Sequence, residues 1–542
     1  MMKFFSGFGA ALALSSASVW TPTPALSQDM EQVPPRQPGE GGGPYGTLVI
    51  RGATMIEGNG SPPRGPVDIV VRGNRIADIL PAGTPGLAMQ PGREPRSFDR
   101  EIDAAGMYVL PGFVDMHGHN GDPDKAPQAS YGYKLWLAHG VTTVRGVSFY
   151  YGSPNRSLDD KARSAANTIV APRLFPYLTL GDGWTRGPVD SPAKAREWAR
   201  WAKGAGIDGI KLFNGYRGVE TAEIMAAAID EAKTQGLGTV AHLAQPGVTE
   251  LDGREAGALG LGTITHFYGH FESLLKNGRI QNYPLGYNFD NEQDRFGEAA
   301  EIWDEIVEPG SPEWVDYLKA QKEAGVTFDP TFTIYSASRD LMRARNADWH
   351  ATYTLPALWD YFQSSRVNHG SYFFDWTTGN EVAWRRFYER WMRLMNDYKN
   401  LGGRVTTGSD SGFIFQTWGF GYISELEMLQ EAGFHPLEVI ESATINGAKT
   451  IFDPKGIAPP FGLVRKGMLA DLVIVPENPL ANFKTLYGTG HQRLNPATDK
   501  LERVGGVRWT IKDGIVYDAP RLLEDVAAMV AAKKAEAAAA GN

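Results

Sequence analysis

The chain has 542 residues, 42% of them hydrophobic and 21% charged, which is enough apolar material for a large buried core. With 53 Lys and Arg against 62 Asp and Glu the formal net charge is −9, without basic clusters, which argues against nucleic acid as a partner. Cysteine is absent, so disulfides, thiolate metal ligands, a thiol nucleophile and a lipid anchor on an N-terminal cysteine are excluded together.

At the N-terminus, Lys3 precedes an apolar run from Phe4 to Trp20, and the small residues Ala25 and Ser27 follow in a cleavage pattern. This reads as a signal peptide over 1–27, directing export to the periplasm or the exterior. A membrane anchor is the weaker reading, because a spanning helix needs roughly 20 apolar residues. The Pro-, Gly- and Gln-rich stretch 28–46 reads as a disordered lead-in. From 47 to 108 come short alternating strands, at 47–51, 67–72 and 75–80, the last two joined by the hairpin signal Gly73-Asn74. The same texture returns over 463–518, with strands at 470–475, 508–512 and 515–517 and a turn at Asp513-Gly514. Together the two ends predict a small β-sandwich built from both termini, followed by a helical tail over 519–542.

Between them, 109–462 alternates β-rich runs with helices such as 192–203 and 221–235, the pattern of an α/β fold with a parallel sheet. Eight strands are expected, at 109–117, 141–145, 173–178, 209–213, 238–242, 263–266, 326–330 and 404–408, and eight such units close into a (β/α)8 TIM barrel. The spacings from 266 to 326 and from 335 to 404 are too long for plain connections. They are read as insertions after strands six and seven, serving as lids or specificity walls over the barrel's mouth, or as an interface between copies.

Residues able to hold a cation fall at the ends of these strands. His117 and His119 close the first strand, and alternation puts i and i+2 on one face. Lys211 lies on strand four, His242 ends strand five, His266 ends strand six, and Asp410 follows strand eight. A single histidine at a strand end is more often a hydrogen-bonded core residue, but four of the ten histidines in barrel order on the catalytic face are hard to obtain by accident. Tyr268 and His270 follow His266 closely enough to reach a scissile group or a substrate carboxylate. Arg145 after strand two and Arg186 in a Gly-rich loop are candidates for an anionic substrate group, with an internal salt bridge as the alternative for each.

Several motifs now join up: Pro111-Gly-Phe-Val-Asp-Met-His-Gly-His119, Gly140-Val-Thr-Thr-Val-Arg145, Thr407-Gly-Ser-Asp410, His435-Pro-Leu-Glu438, Ala443-Thr-Ile-Asn-Gly-Ala448 and Gly467-Met-Leu-Ala-Asp-Leu-Val-Ile474. Over residues 47 to about 518 the chain resembles the amidohydrolase superfamily, and the strand-four lysine is similar to that of its binuclear branches, near the prolidase-like and imidazolonepropionase-like enzymes. In those branches the lysine is carboxylated by carbon dioxide. A plain lysine, with a pKa of roughly 10.4, offers only donors, whereas its carbamate has two anionic oxygens that can bridge two ions. The resemblance implies one ion on His117, His119, the Lys211 carbamate and Asp410, and a second on the same carbamate, His242 and His266. Zinc is the default ion for such ligands, with manganese, cobalt and iron as alternatives.

The implied chemistry is a water bridged by two ions and acidified to hydroxide, with Asp410 passing its proton to the leaving group. The expected function is hydrolysis of a C–N bond in an amide, a peptide or an N-acyl amino acid. Lactone, ester or phosphotriester hydrolysis uses the same centre and is the first alternative. A mononuclear deaminase or imidazolonepropionase-type enzyme is the second, and a binding protein that has lost its centre is the non-enzymatic one. The expected partners are a small-molecule amide or peptide substrate and further copies of the chain in a homo-oligomer, with no nucleic acid and no membrane after signal cleavage.

Overall fold

The computed structural model describes residues 30–215 and 220–540; the signal peptide expected over 1–27 lies outside them. Strands β1 (Leu48–Met55), β2 (Arg64–Arg72), β3 (Arg75–Pro81), β4 (Arg100–Asp103) and β5 (Tyr108–Pro111) come first. The barrel strands follow: β6 (Phe113–Gly118), β7 (Val141–Val147), β8 (Arg173–Thr179), β9 (Gly209–Phe213), β10 (Gly238–His242), β11 (Thr263–Thr265), β12 (Thr327–Asp329) and β13 (Arg404–Val405). The last group is β14 (Leu472–Val475), β15 (His491–Asn495), β16 (Lys500–Val504), β17 (Trp509–Lys512) and β18 (Ile515–Asp518).

Both ends of the chain contribute to one eight-stranded sheet, in the order β18-β17-β14-β5-β1-β2-β3 with β4 also on β1. Its buried face is built from alternate positions, among them Leu48, Ile50, Ile69, Leu472, Ile474 and Ile511. The β2–β3 turn needs Gly73 because its φ is +58°, where a Cβ is unfavourable. A separate two-stranded ribbon, β15–β16, was not expected from the sequence.

The single strand expected over 109–117 is two strands. β5 pairs with β1 and β14 in the terminal sheet, and β6 pairs with β7 in the parallel one. The chain changes sheets at Gly112, where a Cβ would run into Thr142.

The second sheet is parallel and runs β6 to β13 in strict chain order, a curled, TIM-barrel-like α/β arrangement. Its two edges are drawn together by backbone bonds from Met116 N–H to the Thr407 carbonyl (2.9 Å) and from Asp410 N–H to the His117 carbonyl (2.8 Å). The flanking helices form for local reasons. Helix Pro192–Ala205 starts with Ser191 accepting the Lys194 N–H, ends at left-handed Gly206, and buries Ala195, Trp198, Ala199 and Ala202 at helical spacing.

The two insertions pack on each other around the end of the sheet. The longer one carries helix Thr378–Asn400, capped by Thr377 and Asn380. Trp384, Phe387 and Trp391 on its inner face surround Phe267, just after His266, at ring distances of 5.7, 4.9 and 5.2 Å. The Trp384 indole N–H donates to the Phe296 carbonyl of the other insertion (3.0 Å).

The lead-in expected to be disordered is packed where it is described, from residue 30 onward. Met30 and Val33 are buried, and Arg36 donates from its backbone to Thr168 (2.8 Å) and from Nε to Asn167 (3.1 Å). Backbone bonds from Glu31 to Pro127 and between Gly42 and Val516, with an ion pair from Lys134 to Glu40, complete the docking of a stretch whose composition reads as disordered. The tail is helix Ala519–Ala540, seated through Leu522, Leu523, Val526 and Val530. No helix among the described residues is long and apolar enough to cross a membrane.

Candidate metal centre

His117 and His119 leave β6 on one face with ring centroids 5.2 Å apart. One nitrogen each of His117 and His266 and one carboxylate oxygen of Asp410 lie within 4.8 Å of one another. His119 Nε2 is 3.1 Å from Asp410 Oδ1, and His266 Nε2 is 3.7 Å from Oδ2. The His242 ring, at the end of β10, is 4.7 Å from that of His266. Lys211 lies beside Val240 in the β9–β10 register and is 1% exposed. Two of these residues are in the left-handed region, His266 at φ +65° and Asp410 at φ +49°, so the backbone is bent to aim them.

Burial holds all four imidazoles below the usual histidine range, with the Lys211 charge adding to the effect at His117 and His242, while Asp410 opposes it at His119. They are therefore neutral and keep a lone pair. For His266 the tautomer follows from its partner. The Thr331 hydroxyl donates to the Pro330 carbonyl (2.6 Å), so at 2.5 Å it accepts from His266 Nδ1–H and leaves Nε2 as the free nitrogen facing Asp410. His117 Nδ1 is likewise engaged, by Thr265 Oγ1 at 2.8 Å. Burial brings the Lys211 amine down to about 7, against the pull of Asp410. Neutral imidazole lone pairs converging on a carboxylate form a donor set that fits a divalent cation.

Supporting residues escaped the sequence reading. Asp115 accepts from Ser409 N–H (2.9 Å), Ser409 Oγ (2.6 Å), the Trp136 indole (2.9 Å) and His117 N–H (3.1 Å), which ties the His-x-His strand to the Asp410 loop. Burial pushes its pKa up to about 6. Its position two residues before His117, hence on the same face, was the available signal. Glu425 accepts the N–H groups of Phe332 (3.0 Å) and Thr333 (2.7 Å), fixing the turn that carries Thr331; no local pattern announces it.

Of the four expected substrate contacts, one adjoins the cluster. Tyr268 stacks on His242 at 4.8 Å and is hydrogen-bonded to Tyr335. His270 points instead into the core, with Nδ1 on the Tyr317 hydroxyl (2.6 Å) and its ring 4.2 Å from Phe328, and burial lowers its pKa to about 3. Arg145 is also withdrawn from substrate. It is fully buried and spends its donors on the Met116 carbonyl (2.6 Å), Thr263 (3.0 Å) and Asp329 (3.2 Å), because β7 continues past it to Val147. Arg186 is on the surface, 63% exposed and paired with Glu197. For these two arginines the internal or surface salt bridge is what the structure contains.

An open cleft of about 700 Å³, with Arg343, Trp349, Phe415 and Lys484 in its walls, is separate from this chemistry, since none of the six candidate ligands lines it. The ligand cluster itself is nearly enclosed.

The model of the amidohydrolase family matches residues 108–516. The chain is 31% identical over 156 residues to an N-acyl-D-aspartate deacylase of Alcaligenes xylosoxydans xylosoxydans, a stretch covering 27% of this chain and 26% of that protein. It is 42% identical over 97 residues to an N-acyl-D-glutamate deacylase of the same organism, covering 18% and 17%. The match therefore spans about a quarter or less of each of these relatives. Among solved structures, a Xaa-Pro dipeptidase with methionine bound in its active site superposes with a TM-score of 0.56 at 19% identity, over 87% of this chain and all of that one, a likeness of fold. With three quarters of its length matched by the family model, and the strand order and strand-end residues described above, the chain belongs to the amidohydrolase family.

Proposed function

We propose that this protein hydrolyses a C–N bond in an amide, a peptide or an N-acyl amino acid, at a centre of two divalent cations, with zinc the default. The observation that carries this reading is the enclosed cluster of four neutral imidazoles, one carboxylate and a lysine whose pKa is brought down to about 7. His117, His119 and Asp410 would hold one cation and His242 and His266 the other, with Lys211, as its carbamate, shared between them. An amine of that pKa is neutral often enough at physiological pH to add carbon dioxide. Bound divalent cations supply Lewis acidity towards a carbonyl oxygen and acidify water.

The residues do the rest. Asp410 would take the proton of the attacking water and return it to the departing amine nitrogen, a role its 12% exposure beside His119 supports. Thr331 and Thr265 keep the His266 and His117 rings oriented, and the enclosure limits competing water. The names of the relatives, two N-acyl-D-amino acid deacylases and a dipeptidase, support amide over ester chemistry. The apolar run from Phe4 to Trp20 after Lys3, with Ala25 and Ser27 beyond it, supports a cleaved leader and export, which fractionation and N-terminal sequencing of the mature protein test, with a start near Gln28 expected. We propose a homo-oligomer, for which light scattering should give more than the mass of one chain.

The deciding experiment is a panel of N-acyl-D- and L-amino acids, dipeptides, lactones and phosphotriesters offered to metal-replete enzyme. Amide turnover should dominate, disappear on chelation and return with zinc. Faster lactone or phosphotriester turnover would replace this reading with the ester alternative.

A further inference from the structure

The loop that carries Asp410 continues into a backbone that is unfavourable to hold. Ile414 at φ +46° and Phe415 at φ +61° are consecutive left-handed residues, and for a β-branched side chain this is an outlier. The turn is pinned by Gly412 N–H to the Gln416 carbonyl and Gln416 N–H to the Phe413 carbonyl, both 2.8 Å, and the Trp418 indole donates to the His119 carbonyl (2.7 Å). What this strained turn presents is Phe413. Its ring meets the His119 imidazole edge-on at 5.5 Å, and the Lys125 ammonium stands 3.2 Å from its centroid.

Lys125 is unusual for a lysine. It is 2% exposed, in the loop that follows His119, between the rings of Phe413 and Tyr361 (4.5 Å), with Asp122 Oδ2 at 3.3 Å. Burial draws its pKa down to about 8, so it remains a cation at neutral pH, and its charge acts on both His119 and Asp410. Of the arginines whose fields reach the centre, Arg145 is engaged by Asp329 at 3.2 Å and Arg295 by Glu292 at 2.7 Å. Where the ammonium meets Phe413 it meets an aromatic face, a weaker partner than the charge-assisted bond a carboxylate makes. The Phe413 ring touches both the ammonium and the His119 imidazole, so a group that took its place would lie between the two.

We propose that Lys125 recognises a carboxylate on the substrate and that Phe413 is its cover, displaced as the carboxylate enters. The substrate class is then amides whose leaving group carries a free carboxylate, that is, N-acyl amino acids and peptides cleaved at their C-terminal residue. This rests on the amide-hydrolase reading and narrows it. The strain at Ile414 and Phe415 favours the displacement, since it is relieved when the turn opens.

The test compares N-acyl amino acids with matched N-acyl alkylamines that lack the carboxylate. The wild-type enzyme should favour the acids by about ten- to hundredfold in kcat/KM, the range expected of a hydrogen bond to a charged group. Lys125→Met should collapse that ratio mainly through KM, Lys125→Arg should keep most of it, and Asp122→Asn, which removes one competing carboxylate, should keep or raise it. An undiminished ratio in Lys125→Met, or a ratio lost in Asp122→Asn, would overturn the proposal. If Lys125→Met does not fold, Asp122→Asn and Lys125→Arg still decide. If no amide is hydrolysed, the functional reading fails by itself; calorimetric titration of wild-type and Lys125→Arg protein with an N-acetyl amino acid and its N-methylamide then decides the recognition role, with equal binding of the two ligands overturning it.

Discussion

His266 Nδ1 lies 2.5 Å from the Thr331 hydroxyl, and because that hydroxyl gives its own proton to the Pro330 carbonyl, the ring's other nitrogen is the one left to bind. Thr331→Val keeps the shape and removes the acceptor. It should weaken metal binding by about 10- to 100-fold, as loss of an orienting partner does. Competition against a chromophoric chelator measures this, and unchanged affinity would show that packing alone orients the ring.

Lys211 distinguishes a shared carbamate from a merely structural lysine. Native, metal-replete protein should weigh one carbon dioxide more than the bare chain with its metals, and the excess should vanish with the metals on acidification. Lys211→Ala should retain fewer than two ions and little activity, and a short carboxylic acid in excess should restore part of both. Two ions and near-normal turnover in Lys211→Ala would return the mechanism to one metal.

Asp410→Asn keeps the volume and loses the basic oxygen, so turnover should fall by roughly 10²–10⁴. The fall should be steeper for amides with poor amine leaving groups than for activated ones. Equal falls across a leaving-group series would leave Asp410 with a ligand's role only.

Arg145 is expected to matter for stability rather than recognition. Arg145→Met strands Asp329 in the barrel interior, where both side chains are fully buried, and removing one partner of such a pair costs about 3–5 kcal/mol. Urea unfolding should show this loss. A variant with normal stability and a raised KM would restore the substrate role anticipated for Arg145.

The legible parts of this molecule are those that repeat locally. Alternating apolar runs placed β9 and β10 to the residue, and His119, His242 and His266 each end a strand or follow it by one residue. Arg145 shares that signature and does something else, because whether a polar side chain lies in the mouth or one layer below depends on how far its strand continues. Asp329 ends β12 as His242 ends β10, yet an acid before Pro330 reads simply as a strand terminus. Glu425 was invisible for a different reason: its partners, Phe332 and Thr333, are 93 and 92 residues away and receive it through backbone N–H groups, which any residue supplies. The lead-in misled through composition, which carries no sign of its two buried apolar side chains or of the backbone bonds that dock it.

Glu272 predicts a pH dependence. It accepts the Gly269 N–H at 2.6 Å, and burial pushes its pKa from an ordinary 4.5 up to about 7. The folded value exceeds the unfolded one, so its contribution to stability is fully present below pH 4.5 and is lost as the pH rises through about 7. Glu272→Gln should therefore be the more stable protein near pH 8, by on the order of 2 kcal/mol, and lose that advantage in acid. Thermal unfolding of both proteins across this range decides, and a Gln variant weaker near pH 8 would mean that the anion is needed.

The change of sheets at Gly112 has a consequence for biosynthesis. β5, which feeds directly into the His117 strand, is held between β1 and β14, and β14 lies more than 350 residues further along the chain. A nascent chain emerging from the ribosome can pair β5 on one side only until residue 475 is available, so the strand that aims His117 and His119 is completed among the last parts of the molecule. Products stalled or terminated before residue 475 therefore lack a finished site, and the centre is assembled only once β14 has been made rather than segment by segment.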